Sequence, residues 1–203
     1  MVRETIELAQ DLIKWNQATE KGKSEGLDLT KLKAKTNDPA PPFNFKKESK
    51  YRDISYLTEL LLDPKESLFN RYRAMFTLRE LNSVESCVAI CQSLKLEHFN
   101  TCSALLKHEV AFVLAQMEDV FHAAVPFLLE ACTNKNEASI VKHEGLVAIG
   151  EMIDDEKIID HLLQHEDPIV SESCAVAINN IRNRLAEQAE WEAKQKLQQE
   201  SNE

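Results

Sequence analysis

A chain of 203 residues is long enough for one ordinary domain or for an array of short repeats with a tail. Only 4 glycines and 6 prolines interrupt it, and Ala, Leu, Glu, Lys and Gln are abundant, so the composition favours helices over a β-sheet. The formal net charge is −10, and the acid lies after residue 50, where 26 Asp and Glu face 14 Lys and Arg. This charge disfavours nucleic acid as a partner. It suits either a cationic partner or solubility alone.

The chain begins with residues 1–15, which resemble the closing helix near Val170 and which we interpret as the helix remnant of a preceding repeat. Residues 16–50 contain two glycines, several lysines and the run DPAPP, a composition typical of a flexible linker. Residues 51–183 are expected to hold the repeats. Residues 184–203 are polar nearly all round, and we predict a polar helical or disordered tail.

Four segments of residues 51–183 align without internal gaps, at offsets of 36, 35 and 29 residues. Each has apolar residues at helical spacing and is interpreted as the second helix of a pair. The pattern predicts an all-α, HEAT-like solenoid of the PBS lyase type with about four two-helix repeats, in which each pair buries its apolar face against its neighbours. The predicted second helices are 68–81, 104–117, 139–152 and 168–181, and the first helices are 54–62, 84–94, 123–132 and 157–164.

Two glycines, Gly145 and Gly150, lie inside one of these helices. Each costs about 1 kcal/mol of helix stability relative to alanine. A cost of this size needs a compensating contact, so we predict that another helix approaches closely at these positions.

The same dipeptide stands at one position of two consecutive repeats, as His108-Glu109 and His143-Glu144. Neighbouring helices of a stack lie on the order of 10 Å apart, so long side chains at equivalent positions can share an ion. Imidazole nitrogen and carboxylate oxygen suit iron, manganese or zinc, and non-haem iron is our first choice. We therefore expect His108, Glu109, His143 and Glu144 to bind a metal.

A solvated helix face is the alternative for any single His-Glu pair, but recurrence in register favours the metal. His165-Glu166 lies in a turn off the repeated position, and we expect it to bind no metal. His98, His122 and His161 have no partner in register and are expected at the surface. The chain has no G-x-S-x-G and no phosphate-binding glycine loop, so we expect no catalytic residue beyond the metal ligands.

Five cysteines are spread along the chain without a C-x-x-C pair, which favours neither a disulfide framework nor a zinc site. No apolar run approaches the roughly 18 residues that a membrane helix needs. We therefore expect no membrane partner, a reducing compartment and a cytoplasmic protein.

The segments KHEVAFVLAQM, VKHEGLVAIGEM and NRYRAMFTLREL, together with DPAPP, resemble the carboxyl-terminal half of deoxyhypusine hydroxylase, over essentially residues 1–183. The resemblance implies a HEAT-like solenoid of two halves with four repeats each, whose four His-Glu motifs hold a di-iron centre of Fe(2+). It implies a monooxygenase that uses molecular oxygen to hydroxylate the deoxyhypusine form of eukaryotic translation initiation factor five A, which completes hypusine biosynthesis.

Carried over by motif, the resemblance implies that His108, His143 and Glu144 are iron ligands and that Glu109 faces the cationic amine of the substrate. One half supplies at most four of these side chains, too few for the di-iron pocket. We therefore expect the chain to be a truncated product that lacks the N-terminal half, or else a homodimer paired about a two-fold axis.

Two other hypotheses use the same fold for other purposes. One is a non-catalytic HEAT-repeat interaction module whose acidic surface binds a basic protein, and the other is a bilin lyase-type HEAT protein. The His-Glu pairs in register favour the hydroxylase, because a scaffold has no need of metal ligands at equivalent positions.

Overall fold

The computed structural model describes residues 1–22, 32, 37–98 and 100–200. None of these residues lies in a β-strand. Short 3-10 turns connect several of the helices. The α-helices are α1 (Val2–Gly22), α2 (Ile54–Leu62), α3 (Leu68–Leu81), α4 (Val84–Cys91), α5 (Ala104–Ala115), α6 (Val125–Thr133), α7 (Ser139–Met152) and α8 (Pro168–Glu200).

The helices form the two-helix repeats that the sequence predicts. α2 pairs with α3, α4 with α5, and α6 with α7. In front of α8, the predicted helix 157–164 is replaced by two 3-10 segments, Glu156–Ile158 and Asp160–Gln164. The second helices of the repeats, α3, α5, α7 and α8, pack against one another in chain order, and α1 packs against α3. The fold is therefore an all-α, HEAT-like solenoid.

Short polar side chains fix where the helices begin and end. The Ser67 hydroxyl accepts a hydrogen bond from the backbone amide three residues on and caps α3, and Ser103 does the same for α5. Asp53 caps α2 with its carboxylate. α3 ends at Asn82, whose φ of 50° is the left-handed conformation that closes a helix. These caps place α2, α3 and α5 at their predicted starts.

The core is a continuous apolar layer between the first and second helices. All five cysteines are buried in it as free thiols. Among the described residues, no helix combines the length and the apolar character needed to cross a membrane.

A strap of residues 38–44 lies across α3, inside the segment predicted as a flexible linker. Residues 40–44 are buried. Arg73 donates to the carbonyl oxygen of Pro41 at 3.1 Å, and its guanidinium lies 4.2 Å over the ring of Phe43. Arg79 binds the Asp38 carboxylate at 2.6 Å. The prediction of a flexible linker therefore does not describe the strap, which is part of the packed structure.

The ends of the chain also differ from their predicted bounds. α1 continues to Gly22, beyond residue 15, and α8 runs without a break into the polar tail that begins at residue 184. Residues 23–31 and 33–36 of the expected linker, and 201–203 of the tail, lie outside the described residues.

The two glycines of α7 mark close helix contacts, as predicted. A Cβ at Gly150 would lie 2.7 Å from both Cα and Cβ of Ala177 in α8. A Cβ at Gly145 would lie 2.7 Å from the Cys132 sulfur in α6. The backbone of α8 therefore sits directly against α7 at Gly150, and a flexible side chain faces Gly145.

We expect Gly150→Ala to lower the free energy of unfolding by about 1–3 kcal/mol, because the backbone of α8 must shift to admit the methyl group. The gain in helix propensity acts in the opposite direction and is only about 1 kcal/mol. Urea unfolding measures the difference. Glu151→Ala, on the exposed side of α7, is the control and should change stability by less than about 0.5 kcal/mol. Equal stability of both variants would contradict the close approach.

Candidate metal centre

The two His-Glu pairs occupy the same place on neighbouring second helices. His108 is the fifth residue of α5, and His143 is the fifth residue of α7. Because α5 packs directly against α7, equivalent positions of the two helices face each other across the contact. The stack therefore brings one pair next to the other, as the repeat alignment predicts.

The contacts between the pairs are offset by one residue. His108 Nε2 lies 3.3 Å from Glu144 Oε2, so the first residue of one pair meets the second residue of the next pair. His143 repeats the pattern with α8, since its Nδ1 lies 2.9 Å from the hydroxyl oxygen of Ser173, the second residue of the equivalent dipeptide there. The site is thus a ladder of offset contacts along the second helices.

Electrostatics favour a protonated imidazole at the α5–α7 contact. The hydrogen bond that the Glu144 carboxylate accepts from His108 raises the pKa of His108 above its ordinary value, although burial acts against this shift. Burial raises the pKa of the neighbouring Glu109 carboxyl, and the charges of Asp38 and Glu144 add to that effect. Two carboxylates, Glu144 and Glu109, therefore act on His108, and the third, Asp38, acts on Glu109.

The sequence did not predict that Asp38 and Arg79 lie near Glu109. Arg79 of α3 forms a two-pronged ion pair with Asp38 of the strap, at 3.0 and 2.6 Å, and also donates to Gln116 at the end of α5. Both Asp38 and Arg79 are close enough to Glu109 for their charges to act on it. The only signal in the sequence was an acid inside a proline-rich segment, which gives no hint of its partner 41 residues away.

The other histidines lie away from the ladder. His165 accepts a hydrogen bond from the amide of Asp167 at 3.1 Å in the turn before α8. Glu166 is exposed and pairs with Lys135 at 2.6 Å. His98 lies 3.7 Å from the exposed carboxylate of Glu97. The structure therefore places the His165-Glu166 pair off the repeated position.

Comparisons with known proteins match this chain to one enzyme. Deoxyhypusine hydroxylase of Eremothecium gossypii is 37% identical over 180 residues, which make up 88% of this chain and 52% of that protein. The Drosophila melanogaster enzyme is 35% identical over 180 residues, 88% of this chain and 54% of that protein. A structure of human deoxyhypusine hydroxylase in complex with glycerol matches with a TM-score of 0.65 and 32% identity, over 82% of this chain and 53% of that one. The chain is a homologue of deoxyhypusine hydroxylase.

The similarity to deoxyhypusine hydroxylase has a defined extent. The chain spans about half the length of the curated relatives it matches. No family model matches it. The fold and the ancestry are therefore common to this chain and those enzymes, over about half of their length.

The side chains at the α5–α7 contact fit part of a metal site. An imidazole nitrogen and a carboxylate oxygen are suitable ligands for iron, manganese or zinc. Metal sites usually take at least three protein ligands, and in the described part of the chain no three His, Cys, Asp or Glu side chains lie close enough together to hold a metal. His108 and Glu144 thus supply two donors in contact, and the full set with Glu109 and His143 stays a prediction.

We expect Glu144→Gln to lower the pKa of His108, because it removes the charged acceptor that raises it. Histidine titration by NMR measures the change, with Glu151→Gln on the exposed side of α7 as a control that leaves the pKa unchanged. The raised pKa of His108 also determines how the stability of the fold changes with pH. The pair stabilises the fold fully below the unfolded-state pKa of about 6.5, and this contribution is lost as pH rises through the folded-state pKa. An unchanged His108 pKa in Glu144→Gln would show that the contact does not form.

Proposed function

We propose that this chain provides iron-binding repeats of an oxygen-dependent hydroxylase that acts on the deoxyhypusine side chain of eukaryotic translation initiation factor five A. The observation that carries the proposal is the contact of His108 with Glu144, formed at the repeated His-Glu position of a deoxyhypusine hydroxylase homologue. Deoxyhypusine hydroxylases from fungi and from an insect match the chain over nearly its whole length.

In this proposal the chain's own residues bind the metal and the substrate. His108 and Glu144 hold the Fe(2+) ion, and His143 joins them by turning from Ser173. Iron bound there would supply the activation of molecular oxygen that a hydroxylation requires. The side chains hold the ion where the offset ladder brings them together, and the apolar layer behind α5 and α7 keeps water from the other side.

Glu109 has a separate role in the proposal. Its carboxylate is half-buried, and Asp38 and Glu144 lie near enough to add their negative charges to its surroundings. A cationic amine is the group that relieves such crowding of negative charge, since opposite charges attract strongly where water is scarce. Glu109 therefore binds the ammonium group of the deoxyhypusine side chain, and the acidic chain as a whole attracts a cationic substrate.

A complete di-iron pocket in this proposal takes its remaining ligands from a second set of His-Glu repeats. That set belongs either to a second copy of this chain, paired about a two-fold axis, or to further repeats of the same protein. The free thiols of all five cysteines suit a reducing compartment, and we place the protein in the cytoplasm.

The metal assignment predicts a pattern of iron retention. We expect the wild-type chain to retain iron after aerobic purification and Glu144→Ala to bind it at least about tenfold more weakly, with similar losses in His108→Ala and His143→Ala. His165→Ala is the matched control, because it removes an imidazole off the ladder. Metal analysis together with helical circular dichroism separates metal loss from unfolding. Equal iron content in the His108→Ala and His165→Ala variants would contradict the assignment of His108 as an iron ligand.

The substrate assignment predicts hydroxylation only in an assembled site. Mass spectrometry of the factor after incubation with oxygen and a reductant, whose two electrons reduce the second oxygen atom to water, should show the gain of one oxygen atom when the chain is dimeric or is combined with the other His-Glu repeats. The factor carrying unmodified lysine is the negative control. Glu109→Gln should keep its iron and raise the KM for the factor about tenfold or more, as the loss of a charged hydrogen bond implies. Turnover by a proven monomer would contradict the shared site.

A further inference from the structure

A buried cation precedes the ladder position in three successive repeats. Arg71, Lys107 and Lys142 are each the fourth residue of their second helix, in α3, α5 and α7. All three are almost completely buried, with 6%, 2% and 3% of their surface exposed. Basic side chains are rarely buried to this extent. Their recurrence at one repeat position therefore needs an explanation that a single repeat does not provide.

Each of these cations reaches the start of the next second helix. Lys107 Nζ lies 2.5 Å from a carboxylate oxygen of Glu137, whose other oxygen accepts from the amide of Ala138, the residue before α7. Lys142 Nζ lies 2.6 Å from Asp167, just before α8. The second oxygen of the Asp167 carboxylate accepts from a backbone amide in the first turn of α8 at 3.0 Å. Both acids therefore join a lysine of one helix to the N-terminus of the next.

The first repeat contains a weaker form of the same contact. Arg71 donates to the Cys102 sulfur at 3.2 Å, next to the serine that caps α5, and to the carbonyl oxygen of Leu61 at 2.8 Å. First-turn side chains of a helix point towards its N-terminus. Because neighbouring second helices meet at equivalent positions, their N-termini lie at the same end of the stack. A first-turn cation can therefore reach the next helix start in every repeat.

Stability alone does not account for these pairs, of which Lys107–Glu137 is buried on both sides and Lys142–Asp167 on the lysine side, with 27% of the Asp167 side chain exposed. Removing two charges from water costs about as much as their attraction returns, so a buried pair adds little net stability compared with apolar residues. Lys135 and Glu166 form an ion pair of similar length, 2.6 Å, while 79% and 69% exposed. Lys107 and Glu137 keep theirs at 2% exposure each. What a buried pair adds is a fixed geometry, since a charge that leaves its partner inside the protein loses a favourable interaction that water does not replace.

We propose that the pairs Lys107–Glu137 and Lys142–Asp167 are latches that set the register of successive second helices and so hold the offset contacts of the ladder. Lys107 stands one residue before His108, and Glu137 ties down the start of the helix that carries Glu144. A slip of α7 by one residue moves it about 1.5 Å along its axis and turns it by about 100°. That slip is enough to break the 3.3 Å contact of His108 with Glu144.

The latches are positioning residues, and their relevance to metal binding rests on the proposed function. Their geometric effect does not depend on it. The latch between α5 and α7 controls the His108–Glu144 contact, and the latch between α7 and α8 controls the His143–Ser173 contact. The two effects are local, so each can serve as the control for the other.

The test uses the full chain with both charges of a latch removed together. Lys107→Met with Glu137→Gln keeps a side-chain acceptor for the Ala138 amide and leaves no unpaired buried charge, whereas Lys107→Met alone strands a buried carboxylate and is expected to destabilise the fold. Crystal structures of metal-free protein should show the His108–Glu144 contact broken in this variant and the His143 contact with Ser173 intact. Lys142→Met with Asp167→Asn should show the reverse.

Metal binding provides the second readout. Titration with Co²⁺, followed by its visible spectrum, should show at least about tenfold weaker binding in Lys107→Met/Glu137→Gln, a loss of the size that outer partners of metal ligands cause. Lys135→Met/Glu166→Gln removes the exposed pair and should bind as wild type does. Lys107→Arg keeps a cation next to Glu137 and should retain most of the wild-type affinity for Co²⁺.

The outcomes distinguish the latch from the metal site. If the double variant keeps the 3.3 Å contact and wild-type Co²⁺ affinity, the latch proposal is overturned. If both latch variants disturb both contacts equally, the pairs act on the fold as a whole and the proposal is also wrong. If the wild-type chain binds no Co²⁺, the proposed function fails, and the two crystallographic distances still decide whether the latches set the register.

Discussion

The second helices of the repeats lie side by side in one register, and every contact at the candidate site depends on that arrangement. Gly150 gives α8 room to approach α7 until their backbones touch. Side chains between packed helices have few rotamers available, and a polar group that loses contact with water there needs a partner on the next helix. His108 of α5 and Glu144 of α7 are both partly buried and meet across the contact between these two helices. The chemistry of the site is in this sense a consequence of helix packing.

The repeat helices were predictable from sequence because their signals are local. α2, α3 and α7 have the predicted bounds, since apolar periodicity defines the buried side and, for α2 and α3, a capping residue defines the start. The strap was not predictable, because its stability comes from Arg73 and Arg79, more than 30 residues away, while its proline-rich composition is that of a linker. The segment 157–164 was predicted as a helix and forms 3-10 turns, and the sequence could not separate the two because, over so few residues, spacings of three and of four give the same apolar pattern.

The repeat alignment identified which residues share a position at the site but not which of them meet. The alignment placed His108 level with His143, whereas the contact that forms is between His108 and Glu144. The contacts at the helix starts that we propose set this register join residues 25 and 30 positions apart, which one-dimensional periodicity does not contain. The buried lysines carried a signal that could have been used. Lys107 and Lys142 stand in the two KHE triplets, but a lysine on a helix is ordinarily assigned to solvent.

The offset of the ladder gives the array a direction that symmetric pairing would lack. His108 contacts the helix that follows, and His143 does the same, so in these two repeats the histidine meets a side chain of the next repeat. An extra repeat inserted between the repeats of α5 and α7 would place a different helix next to His108 and separate His108 from Glu144. Solenoid proteins commonly gain and lose units during evolution because each unit touches only its neighbours. Here the contact of His108 with Glu144 requires the repeats of α5 and α7 to be adjacent, so we expect insertion of a repeat between them to separate the two side chains.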